Sequence, residues 1–117
     1  MRFNYSFQKV VDLKGNEKTQ AEWVLSTALG ELQAHEQCLN DLMVQRSEVL
    51  ISLQSSAEQK TSMTKIRELQ DYVDYLDVCI ARKHSDIIYS NQEVQHKQNQ
   101  LSTKVLDEKV WLKAKDK

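Results

Sequence analysis

The side chains with the most chemical reach in this 117-residue chain are three histidines, two cysteines, three spaced aspartates and a basic tail around a tryptophan. His35, His84 and His96 are too scattered to supply one ligand set, and no Cys-x-x-Cys, His-Glu-x-x-His or glycine-rich phosphate loop accompanies them. On an apolar helix face, a histidine such as His35 reads as a half-buried, hydrogen-bonded residue. Cys38 and Cys79 read as apolar fillers rather than redox centres. Asp71, Asp74 and Asp77 recur at threes and read as a solvated helix face. Acid–base catalysis would need a pocket, and two paired helices enclose none. Lys109, Lys113, Lys115 and Lys117 surround Trp111. That cluster suits nucleic acid, lipid, a favourable charge at a helix C-terminus, or a protein partner. Such a cluster is more often favourable charge at a helix C-terminus, and among the binding readings the protein partner is preferred, with Trp111 as an exposed anchor. No catalytic, cofactor or metal site is expected.

The elements that position these groups are helical. The chain has two glycines and no proline, so little breaks a long helix. It is 28% charged and 40% hydrophobic, which suits a protein that buries a stripe rather than a globular core. The net charge of -1 gives no basic footprint for nucleic acid. Two cysteines without a framework imply a reducing compartment. No signal peptide or membrane span is read, so a soluble cytoplasmic protein is expected.

Leu69, Val73, Leu76, Ile80 and Lys83 are spaced four, three, four and three, the repeat of a helix seam packed on another helix. The repeat extends from Ile66 to Leu101, then shifts by one to Val105 and Leu112, a stutter-like change of phase. The polar stretch Ser90 to Gln100 is expected to be the loosest. In the first half the same repeat runs from Phe7 and Val11 through Ala21, Leu25, Ala28, Leu32, His35, Leu39, Leu42, Arg46 and Val49 to Leu53. Lys14 and Lys18 are poor seam residues, so the first turns are expected to use Val10 and Leu13 instead. Met1 to Gln8 reads as an extended or fraying lead-in, with Ser6 as N-cap. Gly15 could mark a bend, and Gly30 is a tolerated weak point. Small polar residues from Gln54 to Ser62 read as the connection, with Thr61 or Ser62 capping the second helix.

The expected fold is therefore all-α: two long helices forming an antiparallel coiled-coil hairpin, a single domain over 1–117. Helix 1 covers about 7–55, the connection about 56–62 and helix 2 about 63–115. Leu39 and Leu42 would face Leu76 and Val73. The hairpin would be well zipped near its connection and loose at the termini. Tyr72, Tyr75 and Cys79 lie beside a seam that is already supplied. They fit either a partner-binding face or a wider core against a third helix or second copy.

The opening Phe7-Gln8-Lys9-Val10-Val11-Asp12-Leu13-Lys14 with Asn16-Glu17-Lys18, the pattern Leu69-Gln70-x-Tyr72-Val73-x-x-Leu76-Asp77-x-x-Ile80 and the ending Glu108-Lys109-Val110-Trp111-Leu112-Lys113 together resemble the flagellar export protein FliJ family. The resemblance spans the chain, although family members usually run on into another charged helical stretch. It implies a non-enzymatic, stalk-like coiled coil of the flagellar type III export apparatus, peripheral to the inner face of the cell membrane. The implied partners are the export ATPase hexamer (FliI), the export-gate protein FlhA and substrate chaperones, with no cofactor, no nucleic acid and no membrane insertion. The family's gate-contacting face would fall on Tyr72, Leu76, Cys79 and Lys83, with Lys83 departing in residue type. The ATPase-facing terminal end would carry Phe7, Val11, Lys109 and Trp111. A monomer is expected. An injectisome stalk homologue and a self-assembling coiled-coil spacer are the alternatives.

Overall fold

The structure is a computed structural model that describes residues 2–60 and 62–116, with side chains from Tyr5 onward. Thr61 and Lys117, and the side chain of Phe3, lie outside the described residues. Two helices account for nearly all the rest, α1 over Arg2–Glu58 and α2 over Met63–Asp116. The fold is an all-α helical hairpin. Its contacts divide the chain into a terminal unit, 1–32 with 90–117, and a connection unit, 33–89.

In the connection unit the helices run antiparallel. Arg46 meets Asp77 (Nε–Oδ1 2.5 Å) and His35 meets Lys83 (Nδ1–Nζ 3.2 Å), so numbers fall on one helix as they rise on the other. The seam positions are the ones the three-four repeat picks out, with Val73 and Leu76 buried and Leu39, Leu42, Val49 and Leu53 half-buried. The pairing is displaced from the expected one. Leu42 lies between the Arg46–Asp77 and His35–Lys83 contacts, hence at the level of Cys79–Ile80 and not of Val73. The cause is the position of the turn. α1 continues through Gln54–Glu58, because Ser56 keeps the seam spacing after Leu53 and is itself half-buried. The helix stops where Lys60 takes a left-handed φ of 56°, after a last bond from Gln59 N to Ser55 O. Ser62 then caps α2, its Oγ accepting from Lys65 N at 3.3 Å.

The terminal unit is zipped by charge rather than left loose. Lys14 and Lys18 hold seam positions after all. Lys14 Nζ lies 3.0 Å from Asp107 Oδ2, Lys18 Nζ lies 2.9 Å from Glu108 Oε1, and Lys104 Nζ lies 3.4 Å from Glu17 Oε2. Leu13, expected to substitute for them, is exposed instead. The lysine stems cover the seam while the ammonium groups find carboxylates on the facing helix. This is also why the expected change of phase after Leu101 is met only at Val105, which is half-buried, and not at Leu112. Lys104, Glu108 and Trp111 continue the repeat at three, four and three and are half-buried, whereas Leu112 faces out. Ser90, in the stretch expected to be loosest, is 6% exposed, and Ala28 in the same unit is buried too. Nor is there an extended lead-in: Arg2 to Ser6 are already helix, so Ser6 is an interior residue and caps nothing.

α1 passes through both glycines without a positive φ, and Gly15 is no bend in the ladder. A Cβ on Gly15 would meet Glu108 Oε2 at 3.1 Å, crowding the partner of Lys18, whereas Gly30 has nothing within 4 Å. Gly30→Ala is therefore expected to stabilise the protein by about 0.5–1 kcal/mol, the helix-propensity difference. A urea midpoint that falls would contradict it.

The ion pairs predict a dependence on pH and salt. The hydrogen bond to Asp107 raises the pKa of Lys14 above its ordinary 10.5, and the hydrogen bond to Glu108 does the same for Lys18. For cations favoured in the folded state, the contribution is complete below 10.5 and is lost as pH rises through the raised value. Melting temperature should fall across that alkaline window. Added salt should weaken the same contribution near neutrality, since these pairs are only partly shielded from solvent. Lys18→Met should flatten part of both dependences.

Candidate functional site

The residues that could meet a partner divide between the two units. In the connection unit, Val73 and Leu76 fill the seam, and the residues beside them on α2 stay out of it. Tyr72 is 42% exposed and Tyr75 62% exposed, with ring centroids 6.3 Å apart and an interplanar angle of 23°. The Cys79 thiol lies one helical turn on, and its proximity raises the Tyr75 phenol's pKa above the ordinary 10.0. Tyr72, Tyr75 and Cys79 thus form one ordered aromatic face with a polar end, the kind of surface that anchors a protein partner at small entropic cost.

The other two members of the expected gate stripe sit differently. Leu76 is 1% exposed, so a partner on this face meets its neighbours and not its side chain. Lys83 is half-buried and turned to the seam. Its Nζ donates to His35 Nδ1 at 3.2 Å and lies 3.3 Å from Asp86 Oδ2. His35 can accept at Nδ1 only as the neutral tautomer with its proton on Nε2. Asp71, Asp74 and Asp77 are exposed, as expected of a solvated helix face, and Asp77 also pairs with Arg46.

In the terminal unit, Phe7 and Trp111 pack ring against ring, centroids 5.8 Å apart at 59°. Trp111 is half-buried by this contact rather than the exposed anchor that the sequence suggests. Val11 is buried and Lys109 is exposed. Lys115 Nζ donates to Gln8 Oε1, tying the last turn of α2 to the start of α1. The tryptophan that is exposed is Trp23, at 71%. Sequence reasoning passed over it. Trp23 falls off the seam repeat, and an off-seam aromatic in a solvated helix was the available signal.

No group of three His, Cys, Asp or Glu side chains suited to a metal ion occurs among the described residues, and no described helix is long and apolar enough to cross a membrane. The family model described as "Flagellar FliJ protein" matches residues 3–117. This chain belongs to the FliJ family. A protein of Bacillus subtilis (strain 168), named flagellar FliJ protein, is 24% identical over 117 residues, covering 100% of this chain and 80% of the relative. No solved structure matches the chain. FliJ-family membership makes the chain a component of the flagellar protein export apparatus. Interhelical ion pairs join the two helices of the terminal unit, and the aromatic face of the connection unit leaves side chains outside the seam.

Proposed function

We propose that this FliJ-family chain is the non-enzymatic stalk that couples the export ATPase to the export gate and assists the cycling of substrate chaperones. The observation that carries the reading is the surplus face: Tyr72 and Tyr75 stand outside a seam that Val73 and Leu76 already fill. A structural hairpin has no use for two exposed, stacked tyrosines, whereas an adaptor has. The gate-facing surface is Tyr72, Tyr75 and Cys79, with Leu76 beneath them as their support and Lys83 at its edge. The ATPase-facing surface belongs to the terminal unit, around Phe7, Val11, Lys109 and Trp111.

The division of surfaces is tested by co-purification of the chain with the export ATPase (FliI) and, separately, with the cytoplasmic part of the gate protein FlhA. Both should be retained. Lys109→Glu should weaken ATPase retention and leave the gate unaffected. Retention of neither protein would overturn the stalk reading, and an obligate dimer in solution would favour a self-assembling spacer.

A further inference from the structure

Beyond the two surfaces proposed above, the terminal unit carries an open groove between α1 and α2. It has a wider part of about 490 Å³ and a narrower part of about 190 Å³, which meet at Val24. Its α1 wall carries Ala21, Val24 and Ala28 at spacings of three and four, with Thr27 beside them, and its α2 wall is polar, from Glu93 and Lys97 to Gln100, Thr103 and Lys104. The line extends from Glu17 to Glu31, about four helical turns or roughly 20 Å. Two alanines and a threonine leave the floor shallow enough for another backbone to come close. We infer that this groove is the docking site for an amphipathic α-helix of a protein partner, with an arginine at the end that reaches Glu31 and Glu93.

Both walls of the groove are helices whose backbone groups are already bonded within themselves. An extended peptide lying there would leave its own N–H and C=O groups without protein partners, whereas a helix brings its backbone bonds with it. The length of the groove and the three-four spacing of its wall match a helix that lays an apolar stripe into it.

The charges set the direction and the side-chain type. At the wide end Glu17 is neutralised by Lys104 and Lys14. At the narrow end Glu31 and Glu93 line the groove with no ion pair or hydrogen bond among the described residues, and Lys97 offsets only one of them. Trp23, ring exposed, lines the groove about two turns back along α1 from Glu31. A guanidinium at the narrow end can pair with the carboxylates through its planar fork, which a lysine ammonium does less well.

The test uses the full-length chain and three labelled helical peptides with the same apolar stripe. One carries arginine at the end facing Glu31 and Glu93, one carries glutamate there, and the third has its stripe scrambled. Binding is read by anisotropy and by tryptophan emission, with Trp23→Phe assigning the optical signal. The arginine peptide should bind with one-to-one stoichiometry, at least about tenfold tighter than the glutamate peptide. Glu93→Gln should shrink that difference. Thr27→Arg fills the groove from an exposed position and should cost about tenfold or more with helicity unchanged. Equal affinity for the two charged peptides, binding of the scrambled one, or no effect of Thr27→Arg would overturn the inference. So would a stable dimer that buries Trp23, since a second copy would then be the occupant.

Discussion

Leu76→Ala should be among the most damaging single substitutions in the connection unit, costing about 3 kcal/mol. Leu76 is the most deeply buried large side chain, at 1% exposure, in a fold that owns few buried apolar residues. Truncation removes the transfer free energy of the lost carbons and leaves a cavity that two stiff helices close poorly. Leu→Ala costs span about 2–5 kcal/mol, and the lower middle of that range suits a seam with solvent on both sides. Such a loss shifts the folding equilibrium more than about a hundredfold. Urea unfolding followed by circular dichroism reads the whole chain, while Trp23 and Trp111 both report from the terminal unit. The dichroism midpoint should fall sharply. Tyr75→Ala, one residue away but exposed, should stay within about 0.5 kcal/mol of the parent. Equal losses for the two would show that the seam is not where the stability lies.

The apolar repeat made the fold legible because a seam needs the same spacing whether its residues are strong or weak. Phe7 to Leu53 and Ile66 to Leu101 are inside wherever the three-four count places them. The repeat fails as a guide where the seam is built from charge. Lys14, Lys18, Lys104 and Glu108 look like errors in an apolar pattern, and only the facing helix reveals them as partners. Counting apolar residues then prefers Leu13 and Leu112, and both are outside. The turn was hidden for a different reason. Serines and glutamines from Gln54 onward are weak breakers that a seam can override, and the reversal depends on one lysine in a left-handed conformation, which carries no glycine signal. A three-residue error in the turn displaced the whole expected pairing of Leu39 and Leu42.

The candidate site was legible only as surplus. Tyr72, Tyr75 and Cys79 exceed what one facing helix can cover, and the structure leaves the tyrosines exposed as that count implies. Spacing separates Leu76 from them, since the three-four repeat places Leu76 in the seam, where it is buried. Only the family resemblance put Leu76 on the gate stripe. Trp111 was misjudged because its cover, Phe7, comes from the other end of the chain.

Tyr72→Ala is expected to leave helicity and melting temperature nearly unchanged while weakening the gate contact about thirtyfold. The ring is partly exposed and stacked on Tyr75, not on α1, so its loss opens no cavity in the seam. Against a partner the same ring supplies a large, stiff contact area with few rotors to freeze, and truncating such an anchor costs about 2 kcal/mol. Tyr75→Ala should weaken the gate contact as well, because its ring is the more exposed of the stacked pair. The double variant should lose less than the sum of the two, since the stacked rings order each other. Affinity for the ATPase, assigned to the terminal unit, should stay within about twofold for all three variants. The decisive comparison is therefore made on one preparation of each variant: helicity, gate affinity and ATPase affinity together. A melted helix would move Tyr72 from the surface into the core. Equal losses toward both partners would show that a single surface serves both, and unchanged affinity for the gate would remove the aromatic face from the coupling altogether.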